Sequence, residues 1–321
     1  MKQQYDNDGH IASREHGAAL VIVLGLVALV ASWATTAAFE DLIAIRQAEN
    51  MKDAMYAAQA NQSLFSMAKM RLRNDAREGL IVDDLDEEWA EEMQTWPVDH
   101  GVVSGRIEDA NRYFNLNDLV DELGVAREQQ VQICRRLFAG MDIDVAIVDA
   151  LVDWMDADDQ SYGVGGAEDA AYLARSYRIK NARMDRWDEL NMVQGMDGLI
   201  MNKLARVACV RPVTNQSITT VNINTASAKL IAALFEHMDE SDAEQLVAGR
   251  PYKDISTAMN HFPWENDGAT SLLGVSSDAF VITADAEFGR ARLSEKYLVL
   301  RQGTKLTLLA RERLGWGEGD V

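Results

Sequence analysis

Residues 16–39 read HGAALVIVLGLVALVASWATTAAF, and from Gly17 to Phe39 there is no charged side chain. As a helix rising about 1.5 Å per residue, residues 18–39 cross roughly 30 Å of hydrocarbon. Residues 1–16, MKQQYDNDGHIASREH, are polar and carry Lys2 and Arg14. Positive charge ahead of a membrane helix holds that end in the cytoplasm and sends the following body across. Small-residue cleavage candidates of the ordinary secretory kind, around Ala34 to Ala38, lie at the far end of the apolar run. Gly17 instead marks the boundary between leader and apolar run.

The helical pattern continues past Phe39. Residues 40–78, EDLIAIRQAENMKDAMYAAQANQSLFSMAKMRLRNDARE, contain no proline or glycine. Leu42, Ile45, Ala48, Met51, Met55, Ala58, Leu64, Met67 and Met70 recur at helical spacing. The pattern predicts one helix from about Ala18 to about Arg77, ended by Gly79. Its first third lies in lipid and its remainder packs on the body, with Met51, Met55, Met67 and Met70 as core.

Residues 81–95 read as an acidic loop with a short helix. Strand-like segments follow at Trp96–Val98 and Gly101–Asp109, and Asn115 or Asn117 caps the next helix. From about 116 to 275 short helices fit 126–139, 142–155, 167–178, 185–191, 197–206, 225–238 and 241–248. Ala279–Glu287, Arg290–Gln302 and Lys305–Leu314 read as an antiparallel meander with turns at Gly289 and Gly303. A helix and first strands before a helical block, with the sheet completed after it, describe an α+β fold. The expected layout is a leader (1–17), a membrane segment (18–39), a sheet domain (40–115 and 276–321) and an inserted all-helical domain (116–275).

The net charge of −20, from 51 acidic and 31 basic residues, opposes binding to phosphate backbones. Cys134 and Cys209 have no Cys or His at ligand spacing. A disulfide between them and two free thiols both remain open. The five histidines are scattered, and no nucleophile, Walker or dinucleotide motif is present.

One stretch suits a cation. In residues 153–169, DWMDADDQSYGVGGAED, six carboxylates bracket a glycine-rich turn. Hard oxygens on a flexible loop are what Ca²⁺ requires. The spacing is not that of an EF-hand: counting from Asp156, position six is Ser161 and position twelve is Ala167. Asp156, Asp158, Asp159, Glu168 and Asp169 are the candidate ligands, with Asp153 behind them on the preceding helix. An acidic solvated loop with Asp156 and Glu168 serving helix ends is the alternative. A second stretch, Thr220–Leu234 (TVNINTASAKLIAAL), opens like a helix-hairpin-helix module. The acidic residues after it favour a scaffold, with Asn224 or Thr225 capping the helix and Leu230 and Leu234 packing.

The leader ending in Gly17, followed at once by an apolar helix that continues into the body, resembles the type IV prepilin signal. Most of that family carry Glu at the fifth mature residue, where this chain has Ile22. Lack of that Glu marks the K-type minor pseudopilins of type II secretion systems. The run Arg112-Tyr113-Phe114-Asn115-Leu116-Asn117 resembles their "RFNLN" segment, apart from Tyr113. Together with the insert, acidic loop and terminal strands, this makes the whole chain similar to that branch. The resemblance implies cleavage by the prepilin peptidase between Gly17 and Ala18, with methylation of the new N-terminus. It implies anchoring in the inner membrane with the body in the periplasm, and a structural place at the pseudopilus tip in protein export. It implies partnership with the I-, J- and H-type minor pseudopilins, and calcium at the acidic loop. The competing expectations are a membrane-anchored periplasmic metal-dependent hydrolase and a DNA-binding competence-type receptor.

Overall fold

The computed structural model describes residues 9–77, 82–91, 95–212, 218–260, 262 and 269–314. The predicted terminator Gly79 lies outside them. Helix α1 runs unbroken over Gly9–Arg77, about 100 Å at 1.5 Å per residue. From Gly17 it is long and apolar enough to cross a membrane, and its apolar window touches nothing. It meets the body at a face made by Ala57, Asn61, Leu64, Phe65, Ala68 and Leu72, spaced as one side of a helix.

Two expectations for α1 are corrected here. Residues 40–52 do not pack on the body but project from it. Met51, Met55, Met67 and Met70 are not core; each is more than half exposed. Alanines and methionines populate both sides of this stretch, so apolar spacing alone leaves the buried side undetermined. The choice falls to shape: the small Ala57 and Ala68 let the helix approach the sheet, while Leu64, Phe65 and Leu72 fill the space between.

That sheet has five antiparallel strands. Strand β1 (Trp96–Val98) pairs with β2 (Gly101–Asp109). The chain leaves the sheet after β2 and returns for the closing meander. Before it returns, a long excursion builds β3 (Phe114–Asn115), α2 (Glu128–Ala139), α3 (Ala146–Met155), α4 (Asp169–Tyr172) and α5 (Gly198–Leu204). It continues through β4 (Ala208–Cys209), β5 (Val221–Asn222), α6 (Ala228–Leu234), α7 (Glu240–Ala248), α8 (Ile255–Met259) and β6 (Leu273–Gly274). Strands β7 (Ala279–Phe288), β8 (Ala291–Gln302) and β9 (Lys305–Leu314) complete the sheet in the order β1-β2-β7-β8-β9. The core beneath α1 is Phe280, Ile282, Ala284, Ala286 and Phe288, alternate residues of β7, with Tyr297 and Val299 of β8. Phe65 stacks on Tyr297 at 4.3 Å between ring centroids.

The excursion has its own apolar core, centred on Ile133, Leu137, Phe138, Leu151, Trp154 and Leu230. It is not all-helical. Strand β3 pairs in parallel with β4, and β5 with β6. Pairs of two residues carry no readable period, which is why the sequence concealed them. Several helices are shorter than their patterns. The segment 142–145 is a turn, in which the Asp144 carboxylate accepts from Ala146 N at 3.0 Å, so α3 starts late. Helix α6 is capped by Ser227, whose side chain accepts from Leu230 N, and not by Asn224 or Thr225. Asn224 instead exchanges two hydrogen bonds with the Tyr252 backbone.

Helix α1, the sheet and the insert meet at a buried polar junction. Arg301 of β8 bonds Asp75 of α1 at 2.6 Å, Asp83, and the Ser277 carbonyl at 2.8 Å. Its guanidinium lies 4.6 Å from the Phe280 ring centroid. Asn222 of β5 donates to the Asp83 carbonyl, the Asp109 carboxylate and Ser277. The polar residues of the 220–234 stretch thus point inward and tie the insert to the sheet, as a scaffold requires. Both cysteines are free, Cys134 in the insert core and Cys209 on β4.

Candidate metal centre

The acidic loop is folded over α3. Asp149 and Asp153 stand one turn apart on that helix, on the same face. Asp149 is held by Arg135 of α2 and accepts from Gly165 N at 3.0 Å. Asp153 is fully buried and accepts from Tyr162 N at 2.7 Å and Ala167 N. These bonds draw the loop onto the helix. A Cβ at Gly163 would fall on the Asp149 carboxylate, and one at Gly166 on that of Asp153. Glycine is required there because the backbone passes against charged oxygens.

Asp156 follows α3 directly, its backbone N–H closing the helix on the Val152 carbonyl at 2.8 Å. Glu168 stands at the position before α4, but its side chain makes no capping bond. Both carboxylates instead turn toward Asp153. One oxygen each from Asp153, Asp156 and Glu168 lie within 4.8 Å of one another. Asp156 Oδ1 and both oxygens of Glu168 are buried without a hydrogen-bond donor. Among the described residues no basic side chain pairs with any of the three.

The electrostatics follow. Burial, then the charges of Asp153, Asp158 and Glu168, push the Asp156 carboxyl up to about 7. Burial, then Asp153, Asp159, Asp158 and Asp169, push Glu168 up to about 7. Burial also raises Asp153, against the two N–H groups that stabilise its charge. Orphaned carboxylate oxygens at such separations are costly unless protonated or joined by a cation. An all-oxygen donor set suits a hard divalent ion such as Ca²⁺.

The sequence-derived ligands divide. Asp156 and Glu168 come together. Asp158, Asp159 and Asp169 surround the group without joining it. Asp158 accepts from Gln160 N at 2.8 Å, and Asp169 from Ile179 N at 3.0 Å. Asp153, placed behind the others from sequence, is the centre. Its helical spacing from Asp149 was the signal that could have promoted it.

A second trio, Asp75, Asp83 and Glu87, has oxygens equally close together. Arg301 lies among them, and the Trp89 indole and Asp84 N–H donate to Glu87. There Arg301 pairs with Asp75 and Asp83, and Glu87 has two donors; in the 153–168 cluster, among the described residues, no arginine or lysine pairs with a carboxylate, and Asp156 Oδ1 and both Glu168 oxygens have no donor.

At the other end of the molecule, Gly17 and Ala18 lie within α1, exposed, with open space around Gly17.

A long apolar helix laid on an antiparallel sheet, with its N-terminal part free, defines a pilin-like subunit with a single membrane anchor. Its helical insert with an acidic centre sets it apart from a plain pilin. Two family models, both described as type II secretion system protein K, match residues 112–213 and 221–281. The type II secretion system protein K of Aeromonas hydrophila is 30% identical over 93% of this chain and 97% of its own length. That of Pseudomonas aeruginosa is 34% identical over 74% of this chain and 72% of its own. A chain of the GspK–GspI–GspJ complex of enterotoxigenic Escherichia coli shares the fold, with a TM-score of 0.72 and 24% identity. The match covers 84% of this chain and 99% of that one. The chain belongs to the type II secretion system protein K family, whose members are minor pseudopilins.

Proposed function

We propose that this chain caps the tip of a periplasmic pseudopilus and serves export as a structural subunit, not as an enzyme. The observation that carries this is the state of α1. Beyond any membrane span, Leu42, Ile45, Met51 and Met55 remain more than half exposed on a helix that projects from its body. Apolar side chains displayed along such a helix need other helices to cover them. The partners proposed are the I-, J- and H-type minor pseudopilins, in keeping with the GspK–GspI–GspJ assembly of the structural relative. The insert, joined to the sheet at the Arg301 junction, would obstruct a subunit stacking above, which suits a cap. Residues 18–39 anchor the chain in the inner membrane with its body in the periplasm until assembly. Calcium held by Asp153, Asp156 and Glu168 supplies charge neutralisation to the insert.

Two results test this reading. Met51→Lys combined with Met55→Lys lowers recovery of co-expressed I- and J-type partners about 10- to 100-fold. The melting of the body stays unchanged, because both side chains stand clear of its core. Equal recovery would remove α1 as the assembly surface. Processing is read from the mass of the membrane-extracted protein. The expected mass lacks residues 1–17 and gains one methyl group on Ala18, and an intact N-terminus rejects prepilin peptidase processing.

A further inference from the structure

Several arginines of the body are paired: Arg106, Arg135, Arg211, Arg301 and Arg311 each meet a carboxylate. Two that flank one turn of the insert do not. Arg250 follows α7, and its Nη2 donates to the Ala226 carbonyl. Its Nε is buried with no acceptor. Arg112 stands where the chain leaves the sheet for the insert. Its guanidinium lies 5.5 Å from the Tyr113 ring centroid. Among the described residues it makes no hydrogen bond or ion pair.

The turn between them is the polar stretch 220–226. On one side it is held by the residues just before Arg112. Asn111 donates to the Thr220 carbonyl at 3.0 Å, and the Asp109 carboxylate accepts from Asn222 at 3.0 Å and from Thr225. On the other side Arg250 holds the Ala226 carbonyl, and Tyr252 shares two hydrogen bonds with Asn224. Both arginines are half-buried at this seam. Burial pushes Arg250 down to about 10, and the charge of Arg112 pushes it the same way. Only the Tyr252 hydroxyl opposes them; among the described residues no carboxylate does. The acids nearby are already occupied, Asp109 by neutral donors and Glu108 by Arg106 at 3.0 Å. In a chain with 51 acidic residues, two neighbouring cations are thus left without a counter-charge. A desolvated cation in that state is costly until an anion meets it.

We propose that Arg112 and Arg250 together form a binding site for an oxyanion, a carboxylate or a phosphate, which accepts hydrogen bonds from both guanidinium groups. Each guanidinium presents a planar fork of N–H donors that matches two oxygens of such a group. The Tyr113 ring backs Arg112 and orients it without supplying a full negative charge. Arg112 belongs to the connection from sheet to insert, and Arg250 to the later part of the insert. The bound anion therefore joins two segments far apart in sequence across the 220–226 turn. The site uses neither the acidic centre nor α1, so it stands apart from the assembly reading above.

The probes are sodium acetate and sodium phosphate, added to the full chain in neutral detergent, with sodium chloride at matched ionic strength as control. A chelator is present throughout, so phosphate cannot act by removing calcium. At about ten times its dissociation constant, the bound anion raises the thermal midpoint by about 3–6 °C over chloride. Titration calorimetry gives one site per chain. Arg112→Gln weakens binding about tenfold or more. In chloride it melts no lower than the parent, because it removes a like charge and no hydrogen bond. Arg250→Lys keeps the charge without the fork and also binds more weakly. Tighter binding of acetate assigns the site to a carboxylate, such as an acidic side chain of a neighbouring polypeptide. Tighter binding of phosphate assigns it to free phosphate, and either order upholds the site. The proposal is overturned if neither anion binds saturably beyond chloride, or if Arg112→Gln binds as the parent does. It is also overturned if Arg112→Gln melts far below the parent in chloride, since the arginine is then already paired within the chain.

Discussion

Arg301→Ala is expected to cost about 3–5 kcal/mol, the loss typical of removing one partner from a buried ion pair. Its side chain is 10% exposed and lies between the carboxylates of Asp75 and Asp83, themselves 14% and 3% exposed. Removal leaves two desolvated negative charges facing each other. Burial already raises Asp75, and the arginine is what opposes that shift. The Ser277 carbonyl loses its donor and Phe280 its cation. Because the three elements meet here, the loss should appear as separation of transitions. In urea unfolding followed by tryptophan fluorescence, the sheet domain should melt before the insert. Arg301→Lys restores charge but cannot reach two carboxylates and a carbonyl as a fork does, and should recover only part of the loss. A variant with an unchanged urea midpoint would mean the junction contributes nothing to cohesion.

Calcium should raise the thermal midpoint of the insert by about 5–10 °C when present at about a hundred times its dissociation constant. Chelation should reverse this. Without metal, the pH dependence has a definite sign. Asp156 and Glu168 are raised in the folded state to about 7, so folding binds protons that the unfolded chain has released. Their stabilising contribution is complete below the ordinary carboxylate range and is lost as pH rises through about 7. The metal-free midpoint therefore falls between about pH 5 and pH 8, and calcium binding strengthens over the same interval. Glu168→Gln separates the effects. It removes a ligand and one like charge without touching a hydrogen bond, so it should lose the calcium shift yet melt higher than the parent at pH 8 without metal. Asp153→Ala should also lose the shift. It should in addition destabilise by about 2–5 kcal/mol, because the N–H groups of Tyr162 and Ala167 lose their acceptor. A chelator-insensitive parent, or a full calcium shift in Glu168→Gln, would sink the metal assignment.

The parts of this protein that were readable from residues are those with local causes. The uncharged run 17–39 and the proline-free continuation to Arg77 specify one long helix without reference to anything else. The alternation in β8 and β9, broken at Gly289 and Gly303, specifies a meander. The acidic loop announced itself by composition, yet not which carboxylates converge. Asp158 and Asp159, in the same loop, stand outside the close trio. Asp153, on the helix, becomes central only because the loop folds back to deliver its N–H groups.

The sequence alone therefore determined the anchor, the class of fold, the insertion and the acidic loop, since each rests on periodicity or charge within a few turns of chain. Tertiary structure decided the remainder. It selected which face of α1 is buried, because both faces are apolar and only the Ala57 to Leu72 side fits the sheet. It joined Asp75, Asp83 and Arg301 across more than two hundred residues, and paired two-residue strands too short to carry a pattern. It also distinguished two carboxylate trios of like composition, one braced by an arginine and one with buried oxygens that have no donor, because pairing is a property of distance in space.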